Sequence, residues 1–287
     1  MMGVLPVDKP EGPTSHDLVA LARRGTGVRR VGHTGTLDPF ASGLLLLCMG
    51  RATRLAEYLH PLPKTYVAVA RIGQATSTDD RTGDVVSHSD DWRDLSEAAV
   101  AAAFTGQRGA RLQVPPAFSA KKVRGERLYR RARRGEAVEA APAPVEIFRL
   151  DVRRMALPDV EFEVECSTGT YVRAIARDAG AALGVGGHLS HLRRTRIGPF
   201  DVDNALPVDR LDKENAARAL VAPLDALAHL PRVEVDDEAA QRIIHGGALS
   251  MPDLPQGTLA VARAGELVAV AEGDGNLLRP KKVFANA

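Results

Sequence analysis

The chain has 287 residues, 45% hydrophobic and 26% charged, enough for a sizeable buried core and unlike a disordered or collagen-like composition. Its longest apolar run, residues 44–49, is far short of the ~20 residues a membrane helix needs, and no basic segment followed by an apolar stretch opens the chain, so it reads as soluble and cytoplasmic. Cys48 and Cys166 sit in apolar runs without a CxxC pair, which excludes a zinc ribbon and predicts buried free thiols in a reducing compartment. The net charge of +2 is unevenly spread: residues 121–134 carry +7 and the remainder carries −5. Charge so concentrated points to a polyanion contact.

In chain order, residues 1–60 hold Gly- and Pro-punctuated motifs around one buried strand, Leu44–Met49, followed by a helix expected from Ala52 to Leu59. An alternating strand follows at Tyr66–Ala70, and then an Ala-rich helix that Asp94 can cap, with Glu97 completing a capping box. Residues of about 108–145 are basic and then Pro-rich, the pattern of an inserted arm. If Glu126–Arg134 is helical, then Arg127, Arg130, Arg131 and Arg134 form one basic stripe. Val160–Cys166 alternates as a strand, STGT makes a turn, and Val172, Ile175, Ala176, Ala179 and Leu183 then fall at helical spacing, with Gly184 suiting the end. Beyond Pro231 a short helix, Asp237–His245, precedes two apolar strands around a Gly turn. The division this suggests is a catalytic domain over 1–230 and a small β-rich domain over 231–287.

The stretch GHTGTLDPFASG at 32–43 immediately precedes the buried strand. Three glycines and a proline imply a constrained, close-packed loop, and Asp38 before Pro39 is pushed toward extended backbone. On spacing alone the loop serves either as a tight Asp-Pro turn or as a platform for a reactive carboxylate. It lacks the Lys-Ser/Thr end of a phosphate-binding P-loop. No ligand cluster or nucleotide motif is present, so no metal and no cofactor are expected.

This stretch resembles the signature of the TruB family of tRNA pseudouridine synthases, GHTG-x-LDP-x-A-[ST]-G. Four further motifs follow the family's order: DKPEGPTSHD at 8–17, KTYVAVARIGQATSTDDRTGD at 64–84, PPAFSAKKVRGERLY at 115–129, and CSTGTYVRAIARDAGAALGVGGHLSHLRRTRIGPF at 166–200. The resemblance covers nearly all of residues 1–200 and, more weakly, the C-terminal part. It implies an α/β (α+β) fold: a large mixed, mostly antiparallel sheet with an inserted basic arm, and a C-terminal β-rich domain similar to a PUA RNA-binding module. The implied reaction is the isomerisation of uridine 55 in the tRNA T-loop, by base flipping and by breaking and re-forming the glycosidic bond. By resemblance Asp38 matches the catalytic aspartate, Tyr66 the tyrosine that stacks on the uracil, and Arg173 the arginine that pairs with the aspartate. His33, Tyr171 and Leu192 match residues lining the pocket or replacing the displaced base. Lys9, Lys122, Arg127, Arg130, Arg131, Arg134 and Arg193 complete the expected RNA-binding set.

The physical chemistry agrees with those roles. An arginine near an aspartate favours the ionised carboxylate, the form that can attack or abstract a proton at neutral pH. A flipped base costs a few kcal/mol to unstack, and the basic arm can offset that along the phosphate backbone. The partner implied is the T-arm of tRNA, with no membrane and with no guide RNA or obligatory protein. The rival readings are a tRNA-binding or folding module without catalysis, and a carboxylate-dependent hydrolase, for which no second acid or base is evident. The chain departs from the family at Phe118, where tyrosine is common, at Gly187, commonly alanine, and at Ala179, commonly leucine.

Overall fold

The computed structural model describes residues 1–119, 122–123, 126–127, 134 and 141–284. The elements run β1 (Gly3–Lys9), α1 (Ser15–Thr26), β2 (Val31–Thr34), β3 (Ser42–Met49), α2 (Ala56–Leu59), β4 (Lys64–Ile72), β5 (Gln74–Thr76), β6 (Val85–His88), α3 (Glu97–Thr105), β7 (Gly109–Gln113), β8 (Lys122–Val123), β9 (Glu126–Arg127), β10 (Ala143–Ala156) and β11 (Asp159–Cys166). They continue with α4 (Val172–Ala182), β12 (Gly187–Ile197), β13 (Phe200–Asp201), β14 (Leu206–Pro207), α5 (Lys213–Ala219), β15 (Arg232–Glu234), α6 (Asp237–Ile244), β16 (Leu249–Ser250), β17 (Gly257–Arg263), β18 (Glu266–Gly273) and β19 (Leu277–Val283). Two compact units divide them: residues 1–38, 44–61 and 202–287 form one, and residues 39–43 and 62–201 the other.

In the first unit, β1 lies between β14, to which it is parallel, and β3, which also pairs antiparallel with β2. Every residue of β3 is buried, as expected of a strand covered on both faces. Helix α1 opens with a capping box between Thr14 and Asp17 and ends at Gly27 in the left-handed conformation. Its apolar face, Leu18, Val19 and Ala22, packs with Leu5, Val7, Leu45, Leu47 and Met49. The same unit holds a five-stranded sheet in the order β15-β17-β18-β19-β16, with its own core of Ile243, Leu259, Val261, Val268 and Leu278. Ala264 and Gly265, both at positive φ, make the tight turn between β17 and β18. Residues 50–59 are anchored on β19: the Arg54 guanidinium donates to the Val283 carbonyl at 2.7 Å and lies 5.3 Å from the Phe284 ring centre, while Lys282 is ion-paired to Glu57.

In the second unit, β12, β4, β11, β10 and β7 form an antiparallel ladder in that order. The opening residues of β3 add a parallel rung, with Ser42 opposite Arg193 and Gly43 opposite Arg194. A Cβ on Gly43 would stand 2.2 Å from the Arg194 carbonyl oxygen, so only glycine lets the strand start here. Helix α4 packs on β12 just as closely: a Cβ on Gly187 would meet the Ala176 carbonyl oxygen at 2.6 Å. The departure from the family's alanine at Gly187 therefore goes with a tight helix–strand approach.

Several expectations need correction. The Ala-rich helix is capped by Ser96, whose hydroxyl accepts from Ala99 N–H at 3.2 Å. Asp94 instead closes a 3₁₀ turn, because the extended Leu95 delays the helix until Val100 and Phe104 can bury one face. The helix expected from Ala52 is 3₁₀ over Gly50–Leu55 and α-helical only over Ala56–Leu59. Residues 109–113, read as the start of the arm, are a sheet strand paired with β10. The helix over 126–134 does not begin as expected: Glu126–Arg127 is a strand paired with Lys122–Val123. Arg130 and Arg131 lie outside the described residues.

Candidate active site

Asp38 lies on the loop between β2 and β3, half-buried, and the peptide before it is tied down. The Ser15 hydroxyl, at the first turn of α1, accepts from Leu37 N–H at 2.9 Å and stands 3.2 Å from the Leu37 carbonyl oxygen, to which it donates. A buried hydroxyl serving both polar groups of one residue fixes that backbone, and with it the Cα of Asp38. Ser15 was not singled out in the sequence, although it falls inside the 8–17 motif one residue after the capping threonine. His33 lies on β2 opposite Leu47, and Lys9, fully buried at the end of β1, donates to the Pro10 carbonyl at 2.9 Å.

In the second unit Tyr66 is buried on β4, between Val164 of β11 and Arg194 of β12. Strand alternation puts Lys64, Tyr66 and Ala68 on one face. Leu192, opposite Ala68, shares that face, and so does Arg194. Arg193 is opposite Val67 and points to the other face, its guanidinium 3.5 Å from the Ser42 hydroxyl. Of the three arginines in LRRTR, the one beside Tyr66 is therefore Arg194, 1% exposed. Parity counted from Leu192 would have found it. Burial, aided by the charge of Arg194, pushes the Lys64 ammonium down to about 8. Burial pushes both cysteine thiols up to about 12, so neither Cys48 nor Cys166 is a nucleophile at neutral pH.

Arg173 is on the first turn of α4 and is 3% exposed. Its guanidinium donates to the carbonyls of Thr78 at 2.8 Å and Phe118 at 2.9 Å, and lies 3.3 Å from the Asp80 carboxylate. Asp80 is itself held by the Thr78 hydroxyl at 2.7 Å, by Thr82 N–H at 2.9 Å and by the Thr82 hydroxyl at 2.5 Å. One turn on, Arg177 pairs with Asp79 at 3.0 Å. Burial pushes the Asp79 carboxyl up, and the Arg177 guanidinium opposes it. The TSTDDRT loop thus presents two consecutive carboxylates to two arginines spaced i, i+4 on one helix. Neither aspartate was anticipated as a partner of these arginines, because their pairing is set by tertiary structure. Tyr171 is the N-cap of α4, and both its N–H and its carbonyl are bonded by the Gln113 side chain. Of the expected arm residues, Lys122 and Arg127 face each other across a two-stranded ladder, and Arg134 is exposed in a turn.

The family profile described as the N-terminal domain of TruB family pseudouridylate synthase matches residues 23–172, and that of the tRNA pseudouridylate synthase B C-terminal domain matches residues 173–228. The chain belongs to the TruB family of pseudouridine synthases. It is 44% identical over 294 residues to the tRNA pseudouridine synthase B of Thermobifida fusca, covering 99% of both chains. It is 46% identical over 279 residues to that of Mycolicibacterium paratuberculosis, covering 95% of this chain and 94% of the relative. Among solved structures it is similar to a chain of an H/ACA RNP bound to a substrate RNA containing 2′-deoxyuridine, with 27% identity and a TM-score of 0.75. A Cbf5-Nop10-Gar1 complex contains a similar chain, with 29% identity and a TM-score of 0.76; the matches cover 99% of this chain and 86% and 85% of those chains. As a TruB-family isomerase, the protein converts uridine to pseudouridine in tRNA. Among the described residues no helix is long and apolar enough to cross a membrane.

Proposed function

We propose that the uridine converted is that at position 55 of the tRNA T-loop, flipped from its stack and isomerised with Asp38 as the reacting carboxylate. The observation that carries this reading is the GHTGTLDPFASG loop, in which both polar groups of Leu37 are engaged by Ser15 so that Asp38 follows a fixed peptide. The ionised carboxylate acts as nucleophile or base while the bond from C1′ to N1 breaks. The base then rotates, C1′ joins C5, and C5 loses its proton while N1, freed of the sugar, takes one up. No electrons are exchanged with another molecule. Tyr66 offers its ring to the uracil face, a contact worth ~1–3 kcal/mol per stacked base. Arg173, held by two carbonyls and Asp80, supplies a cation of fixed orientation.

His33, Tyr171 and Leu192 contact the flipped base or fill the space it leaves. Lys9 and Arg193 hold the nucleotides beside it. Lys122, Arg127, Arg130, Arg131 and Arg134 bind phosphates of the T-arm. The domain division at about residue 231 is supported by the separate sheet and core of residues 232–283, and that part is read as a PUA-like RNA-binding domain. Relatives of nearly the same length named tRNA pseudouridine synthase B favour an enzyme of the cytoplasm that needs no guide RNA or obligatory protein. A tRNA transcript with cytidine at position 55 should remain unmodified while the unaltered transcript gains a single pseudouridine. A product at another position of the altered transcript would overturn the assignment.

A further inference from the structure

The segment leading from β7 into the arm crosses the start of α4. Gln113, 1% exposed, ends β7, and its backbone is held in the ladder opposite Ala143. Its side-chain amide reaches 58 residues along the chain: Nε2 donates to the Tyr171 carbonyl at 3.1 Å, and Oε1 accepts from Tyr171 N–H at 2.8 Å. Beyond it the Val114 carbonyl accepts from Arg177 at 2.9 Å, and the Phe118 carbonyl accepts from Arg173 at 2.9 Å. Residues 113–118 therefore form a strap bonded to three successive polar positions of the helix start, Tyr171, Arg173 and Arg177. The opposite side of those arginines is held by Thr78, Asp79 and Asp80.

Helix α4 needs such a strap. Its N-cap, Tyr171, has no side-chain cap of its own. A helix start without a capping side chain leaves orphan N–H groups and frays. The Gln113 amide bonds the N-cap residue itself rather than the N–H groups a cap would serve: it accepts from Tyr171 N–H, donates to the Tyr171 carbonyl, and so sets, two residues on, the origin of the Arg173 side chain. At neutral pH no other side chain of this length ordinarily both donates and accepts, since glutamate is then ionised and only accepts.

We infer that Gln113 is a positioning residue for the isomerisation: it sets Tyr171 and Arg173 from the root of the RNA-binding arm, so that tRNA affinity and turnover separate when it is changed. The inference rests on the reading that Arg173 serves the reaction. In Gln113→Leu both bonds vanish at nearly constant volume. Displacing a reacting group by about 1 Å can cost about 10²-fold, so the single-turnover rate should fall at least about tenfold, with the tRNA dissociation constant changed by less than about twofold. Gln113→Glu supplies a different signature. Its ionised form keeps the acceptor for Tyr171 N–H but sets a second oxygen against the Tyr171 carbonyl, whereas its protonated form restores the donor, and burial raises its pKa.

The experiment measures single-turnover rate, tRNA affinity and thermal melting for wild type, Gln113→Leu, Gln113→Glu and Arg173→Lys between pH 5.5 and 8. The expected result is a rate ratio of Gln113→Glu to wild type that rises several-fold as pH falls, with a flat ratio for Gln113→Leu. If Gln113→Leu melts below the assay temperature, the pH profile of Gln113→Glu decides. A wild-type rate in Gln113→Leu, a pH-independent ratio for Gln113→Glu, or equal losses of rate and affinity overturns the inference. A fully active Arg173→Lys overturns the reading of Arg173 and the inference with it. An inactive Arg173→Lys beside active Gln113 variants overturns only the inference.

Discussion

Ser15→Ala removes one oxygen from a site that is 2% exposed. The loss leaves the Leu37 N–H, now bonded at 2.9 Å, without its acceptor, and the Leu37 carbonyl without its donor at 3.2 Å. A buried donor stranded in this way costs about 1–3 kcal/mol, which for a chain of this size lowers the melting temperature by roughly 2–4 °C per kcal/mol. The larger effect falls on turnover, because the peptide preceding Asp38 is no longer held and a misplacement of about 1 Å can cost about 10²-fold. The assay follows release of tritium from tRNA labelled at C5 of uridine, since joining C1′ to C5 expels that hydrogen. The expected outcome is a rate loss well beyond what the melting shift explains at the assay temperature, with tRNA affinity retained. A variant that melts lower yet turns over normally would refute the claim that Ser15 positions the Asp38 loop. A variant unchanged in both would refute the hydrogen bonds themselves.

Asp80→Asn keeps the Thr82 contacts but removes the charge facing Arg173; it should destabilise by about 1–3 kcal/mol and slow isomerisation more than it weakens binding, as single-turnover kinetics beside a melt would reveal. Lys64 releases its proton near 8 in the fold, whereas an unfolded chain holds it to about 10.4. Between those values the unfolded state binds more protons, so the stability of wild type relative to Lys64→Met should rise by up to about 1 kcal/mol from pH 8 to 9, and denaturant melts showing a constant difference would contradict it. Changing Arg127, Arg130, Arg131 and Arg134 to alanine should weaken tRNA binding and reduce the salt slope by up to about 0.9 for each lost phosphate contact; an unchanged slope would remove the arm from the interface.

Much of this architecture was legible because local patterns and burial agreed. Strand β4 alternates over its whole length, and the apolar run Leu44–Met49 within β3 read as a covered strand. The 172–182 helix carried its apolar face at the right period, with Gly184 just past its end. The β17–β18 turn followed from Ala-Gly between two apolar runs. Asp38, Tyr66 and Arg173 were reached through motif resemblance, since spacing alone favoured a turn at Asp38 and a surface arginine at position 173 and left Tyr66 readable as a core or cross-strand aromatic. What stayed hidden were pairings across long sequence separations. Ser15 reads as a first-turn residue and serves a loop 22 positions away. Gln113 reads as an ordinary polar residue and anchors a helix start 58 positions away. Asp79 and Asp80 read as turn residues until the arginines of α4 are set beside them. The Asp94 cap failed because two capping residues stood two positions apart, and only burial of Val100 and Phe104 decided between them.

The most direct test of the central claim maps pseudouridine, through a chemical tag that derivatises it selectively, in an unmodified tRNA transcript incubated with wild type and with Asp38→Asn. The account predicts one tagged position, in the T-loop, with wild type and none with Asp38→Asn, while both proteins bind the tRNA with similar affinity. A tagged T-loop uridine produced by Asp38→Asn at the wild-type rate would contradict it.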